Sequence, residues 1–295
     1  GLANQGWKDS FDGINDAAGR IAQPPIALCE VQGYVYAAYV ARAELADARG
    51  DGSAEAWRER ATRLKAAFNE RYWLPDRGWY AVALDGDKRP VDALTSNIAH
   101  CLWTGIVADE HAAAVVDQLN APPMRTGFGL RTLASTMGAY NPMSYHNGSV
   151  WPHDTALVGA GFARYGRKVD AGKLLGNLYG VSLYYEGARL PELFCGFSRR
   201  HGYGPTRYPV ACSPQAWAAG APFLLLSAIL GFEPEAERQR LILRRPSLPD
   251  WLERVELGGL RLGQQQAHLR FVRNGEDTAV TLSEDMGVDV HVLPR

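Results

Sequence analysis

The sequence predicts a mainly α protein, a barrel of helical hairpins with a small antiparallel β-sheet at its C-terminal end. Three observations carry that prediction. Stretches with apolar residues at helical spacing arrive in pairs along residues 26–230. Loops rich in Trp, His and acids follow alternate helices, which would gather them at one end of such a barrel. After about Glu237 the apolar period changes to two. A helical solenoid is the competing all-α arrangement, but solenoids carry a sequence repeat and none is visible.

Residues 26–49 read as the first helix, with Leu28, Val31, Tyr34, Val35, Ala38 and Tyr39 recurring at helical spacing and Gly50 as the stop. Ser53 is placed to cap a second, from Ala54 to about Tyr72, with Trp57, Leu64 and Phe68 on its apolar face. Leu74-Pro75-Asp76-Arg77-Gly78 is turn chemistry, and Trp79 to Leu84 reads as a hairpin strand. Short helices follow at about 94–104 and 109–119, the second capped by Asp109. Residues 121–150 are Gly/Pro-punctuated and aromatic with no clear period, and a loop that long inside a compact domain is usually functional. Helices resume at about 152–165 and 167–185, with a second loaded loop at 186–212. Ser213-Pro214 reads as N-cap and first-turn proline of a very apolar helix ending at Gly231 and kinked by Pro222. Residues 1–236 thus form a helical unit and 237–295 a β unit, in which Asn274-Gly275 is a hairpin turn.

Composition narrows the function. A chain of 295 residues can bury a large core. A formal net charge of −1 gives no electrostatic case for nucleic acid or an anionic membrane, and suits a neutral ligand. Eight Trp and thirteen Tyr are plentiful, as in clefts that stack on sugars. Cys29, Cys101, Cys195 and Cys212 are widely spaced, with no CxxC pair and no HExxH, so no metal is expected and a reduced, cytoplasmic setting is the simplest reading. No apolar run reaches transmembrane length. Neither G-x-G-x-x-G nor G-x-S-x-G occurs, which disfavours a dinucleotide cofactor and a serine hydrolase. The chain opens on Gly rather than Met, directly on its most loaded segment, so the expectation is a fragment whose first helices lie upstream. The oligomeric state is not legible.

That opening segment, Gly6-Trp7-Lys8-Asp9-Ser10-Phe11-Asp12, sets two carboxylates among large aromatics. An apolar wall raises a carboxyl pKa, and an aromatic face stacks on a pyranose. Among 32 acids, Asp9, Asp12, Asp154 and Glu192 lie in aromatic, Gly/Pro-punctuated loops, with Glu30 and Glu186 less clearly so. Asp9 and Glu192 each have hydrophobic neighbours on both sides, and glycoside hydrolysis needs two carboxyl groups flanking one bond. Lys8 argues against a raised Asp9 pKa unless the two side chains diverge. Residues 144–155 pack His146, Trp151, His153 and Asp154 into a turn before a helix. They read either as a stacking platform with hydroxyl donors, or as a helix cap at Asp154 or Thr155 beside a core histidine.

Gln5-Gly6-Trp7-Lys8-Asp9-Ser10, Gly148-Ser149-Val150-Trp151-Pro152 and Leu190-Pro191-Glu192 together resemble the amylo-α-1,6-glucosidase (glycogen debranching enzyme) family. That family belongs with the trehalase-like and glucoamylase-like (α/α)6-barrel hydrolases, and Glu30-Val31-Gln32-Gly33-Tyr34 is similar to its bacterial members. The resemblance runs to about residue 232 and extends to a small C-terminal sheet. It implies the later part of such a barrel, lacking its first helices, and an inverting α-glucosidase without cofactor. It puts the general acid on Asp9 and the general base on Glu192, with carboxyls about 6.5–9.5 Å apart for inversion. Trp7 and Trp151 would stack on the sugar, and Asp12, Glu30, Gln32, His146, His153, Asp154 and Gln215 would contact substrate. The rivals are a trehalase-like or glycosylglycerate hydrolase, a non-catalytic carbohydrate-binding protein, and a helical scaffold whose aromatic loops scatter over the surface.

Overall fold

The computed structural model describes residues 6–284 and 287–293; Gln5, the first residue of the opening motif, lies outside them. The chain enters through a two-residue strand, β1 (Ala27–Leu28), and then forms α1 (Cys29–Arg49) and α2 (Ala54–Tyr72). Four short strands follow: β2 (Trp73–Leu74), β3 (Trp79–Tyr80), β4 (Ala83–Leu84) and β5 (Pro90–Val91). Next come α3 (Asn97–Thr104), α4 (Asp109–Asn120), α5 (Pro152–Arg164), α6 (Lys168–Ser182) and α7 (Ala216–Leu230). The C-terminal part is β6 (Phe232–Glu235), β7 (Arg240–Arg244), β8 (Arg254–Leu262), β9 (Gln265–Asn274), β10 (Asp277–Glu284) and β11 (Asp289–Leu293).

The helices lie where the apolar spacing puts them, but the expected caps do not form. Ser53 turns its hydroxyl to Asp51 Oδ1 (2.6 Å) instead of a helix N–H. Asp109 is the first helical residue and not the cap, a place where its charge still suits the helix dipole. Ser213-Pro214 stands before the helix, and α7 begins at Ala216 after Gln215. Pro152 does occupy a first-turn position of α5, where its missing N–H costs nothing.

α1 packs on α2 and α3, α3 on α4 and α5, and α5, α6 and α7 on one another. One apolar core runs through this stack into the C-terminal strands, joining Ile98, Leu102, Phe162, Leu174 and Leu225 to Leu243, Leu269 and Phe271. Gly231 makes the passage from α7 to the strands possible: it closes the helix at φ 70, and a Cβ there would overlap the Arg244 carbonyl.

The period-two region forms two three-stranded sheets, not one antiparallel sheet. Strands β8, β9 and β10 make an antiparallel meander with its hairpin at Asn274-Gly275. In the other sheet β7 pairs antiparallel with β6 and parallel with β11. The expected strand at 79–84 is likewise two, β3 paired with β2 and β4 lying between β1 and β5.

Residues 121–150 contain no helix or extended strand, as expected. Single bridges knit them to their neighbours instead: Arg131 with Val150, Val150 with Phe194, and Phe194 with Arg207. The buried Arg131 guanidinium donates to the carbonyls of Pro123, Arg125 and Gly196 and to Ser198 Oγ, at 2.8–3.0 Å. Gly196 is required at this crossing because a Cβ would overlap the Gly148 carbonyl. The two loaded loops are thereby tied to each other, and they lead into the N-terminal ends of α5 and α7.

Candidate active site

The opening loop alternates its side chains between core and solvent. Lys8 is fully buried and donates to the Thr132 carbonyl (2.7 Å), whereas the Asp9 side chain is 85% exposed. The two diverge, which answers the objection that the ammonium raises against Asp9. The apolar walls expected on both sides of Asp9 are not there, since Phe11 is 89% exposed and Trp7 lies beneath. Burial pushes Lys8 down to about 8, against the opposing pull of Asp154 and Glu30.

Trp7 is the hub of an aromatic cluster. Its ring is stacked over His100 (centroids 6.0 Å) and meets His146 (5.5 Å), Trp151 (5.5 Å) and His153 (5.1 Å) edge to face. His153 stacks on Trp217 at 3.6 Å, and His146 on Trp151 at 5.3 Å. Trp151 is 2% exposed, with its Nε1 donating to the Tyr145 carbonyl (3.0 Å). It is therefore a buried wall and not an open stacking face; the exposed indole is that of Trp217. Burial holds His146 and His153 down at about 4, so both rings are neutral near pH 7.

Below the cluster lies a buried polar layer. Asp154 Oδ1 pairs with His100 Nε2 (2.8 Å), whose Nδ1 meets the Tyr34 hydroxyl (2.6 Å). Burial works to raise the Asp154 carboxyl, but the His100 hydrogen bond and charge hold it below its ordinary value. Thr155 Oγ1 accepts from the Leu130 N–H, so neither Asp154 nor Thr155 caps α5. Glu30 accepts from Asn97 Nδ2 (2.9 Å). Trp7 Nε1, His153 Nδ1 and Gln215 Oε1, like Asn97 Oδ1 in the layer itself, are buried and make no hydrogen bond among the described residues. Such atoms are costly unless a ligand or water pairs with them.

The two carboxyls sit at either end of the cluster. His146 Nε2 lies 3.9 Å from Asp9 Oδ1, and its Nδ1 is 2.8 Å from Ser10 Oγ. Glu192 is 9% exposed; Oε1 accepts from the Tyr145 hydroxyl (2.6 Å) and Oε2 from the Cys212 backbone N–H (3.1 Å). Asp12 ties the opening loop to the other loops, since Asn147 Nδ2 donates to its carbonyl (2.9 Å) and carboxylate (3.2 Å). Gln32 stands apart: its amide donates back to the carbonyl of Leu28, the residue just before its own helix (3.2 Å). Gln215 stands at the start of α7, two residues before Trp217. The aromatic loops thus converge, which removes the scaffold alternative in which they scatter.

Residues 5–189 match the family described as the mannosylglycerate hydrolase MGH1-like glycoside hydrolase domain. The chain belongs to that family. The match places this MGH1-like domain among glycosidases, and not specifically among the debranching enzymes that its motifs resemble. Among solved structures it is similar to the neutral trehalase Nth1 from Saccharomyces cerevisiae (16% identity, TM-score 0.55, 69% of this chain and 38% of that one). It is similar also to the GH63 mannosylglycerate hydrolase from Thermus thermophilus (19%, 0.54, 68% and 47%). The GH78 rhamnosidase of Bacillus sp. GL1 matches over 97% of this chain and 29% of its own (18%, 0.63). At such identities the likeness is one of fold, and the MGH1-like chain spans less than half the length of each of these structures. No curated protein matches by sequence.

The residues that the motifs leave unmarked are His100, Tyr145 and Trp217. His100 carried a usable signal, as one of three polar residues, with Asn97 and Thr104, at helical spacing on one buried face of α3. Tyr145 and Trp217 sit next to or near marked residues, yet nothing local distinguishes them.

Proposed function

We propose that this MGH1-like domain carries the catalytic centre of an inverting glycoside hydrolase, with Asp9 as general acid and Glu192 as general base. Asp9 would protonate the glycosidic oxygen while Glu192 removes a proton from water attacking the opposite face of the sugar. The observation that carries this reading is the placement of the two carboxyls, remote in sequence, against adjacent residues of one loop. Glu192 is bound by Tyr145, and Asp9 lies by His146. The exposed Trp217 ring suits the face of a sugar held between them. On this reading the seven helices are part of an (α/α)6 barrel with its loops at the catalytic end.

For the substrate, the motif resemblance favours α-glucosidic linkages of glycogen-like or oligosaccharide chains. The family match favours small glycosides of the mannosylglycerate or trehalose kind at least as well. Turnover of a panel holding branched α-glucan, trehalose and mannosylglycerate, with NMR of the released anomer, separates these. Asp9→Asn and Glu192→Gln should each cost about 100- to 10,000-fold in kcat on whichever substrate is cleaved. Full activity in either variant rules out its assigned role. Sugar affinity without turnover, surviving loss of Glu192, would instead identify a binding protein.

A further inference from the structure

Glu192 is gripped on both oxygens, by the Tyr145 hydroxyl at 2.6 Å and the Cys212 backbone N–H at 3.1 Å. The Tyr145 ring is itself held, with centroid distances of 4.6 Å to His146, 4.9 Å to Trp151 and 5.7 Å to Tyr208. The next residue, His146, approaches Asp9 and is fixed through Ser10. The side chains that meet the two carboxyls are therefore joined by a single peptide unit.

We propose that Tyr145 is a positioning residue: its hydroxyl fixes the Glu192 carboxylate so that its remaining lone pairs face the attacking water, in register with Asp9 through the Tyr145–His146 peptide. The proposal rests on the catalytic assignment of Asp9 and Glu192 above. A carboxylate offers about four lone-pair sites; the two protein donors occupy two, and the attacking water takes one of the two that remain. The phenol can hold this place at any working pH, because burial and then the Glu192 hydrogen bond push its ionisation well above the ordinary tyrosine range. The titratable groups facing the pair are Asp9, His146, His153, Tyr208 and Cys212.

Tyr145→Phe removes one oxygen and keeps the ring with its three aromatic neighbours. In the full chain, kcat should fall about 10- to 100-fold with KM within about 2-fold of wild type. The acid limb of the kcat/KM profile should move to higher pH, because a donor to the charged form is gone. Wild-type kcat with an unmoved acid limb overturns the proposal, and so does a loss confined to thermal stability. Glu192→Gln measured in parallel separates the two claims. Retained turnover there overturns the catalytic assignment, whereas an inactive Glu192→Gln beside an unaltered Tyr145→Phe overturns the positioning role alone.

Discussion

The helical region and the C-terminal strands treat polar groups in opposite ways. The helical region buries Lys8, Glu30, Asn97, His100 and Asp154 under Trp7. From Phe232 onward, every buried side chain among the described residues is apolar. The ion pairs of that region, such as Arg244 with Glu233 and Arg270 with Glu256, stay at the surface, where solvent screens them. Both regions share one hydrophobic core, so the difference is not one of packing. Burying charge costs free energy that burying Leu does not, and proteins accept that cost mainly where a site requires it. The contrast marks the helical region as the one that accepts this cost, independently of any motif.

The sharpest way to break the contrast is to remove the cation of the buried layer. Lys8→Met keeps much of the side-chain volume but removes the buried cation on which Asp154 and Glu30 both act. It should cost about 3–5 kcal/mol in urea unfolding and abolish turnover together. Stability and kcat close to wild type would mean that the layer is not electrostatically built. Phe271→Ala makes the matching cut in the strands, where Phe271 is fully buried against Phe232. The cavity should cost about 3 kcal/mol. Below the melting transition, however, kcat should be unchanged. A fall in kcat with Phe271→Ala would show that the strands shape the site.

The same contrast explains what the sequence could and could not tell. Asp9 and Glu192 stand out in the sequence because each sits in a short motif beside aromatics, and the helix bounds at Gly50, Ala54 and Gly231 were legible because chain-stop chemistry is local. The buried layer was not. Lys8 reads as an argument against Asp9 until alternation sends the two side chains in opposite directions. His100 reaches Asp154, and Tyr145 reaches Glu192, through tertiary closure that no spacing encodes. Ser53 failed as a cap because Asp51, two residues away, offered its hydroxyl a better acceptor. The parallel pairing of β11 with β7 was hidden for a similar reason, since period two specifies a face but not a partner.

The smallest expected effect, taken per ring and per pH unit, is a pH dependence, and its sign follows from the buried histidines. His146 and His153 stay neutral in the folded chain down to about 4, but take up a proton near their ordinary 6.5 when unfolded. Between those values the unfolded chain binds more protons, so stability falls as pH falls, by up to about 1.4 kcal/mol per pH unit for each ring. Asp154, held below its ordinary 3.8, carries the same loss further into acid. Urea melts between pH 7 and 4.5 should show this slope, and His153→Gln should flatten it by about half. The strands bury no titratable side chain among the described residues, so Phe271→Ala should lower the whole curve without changing its slope. A slope that survives His153→Gln unchanged would move the acid sensitivity elsewhere in the molecule, and the contrast between the two regions would then rest on Lys8 alone.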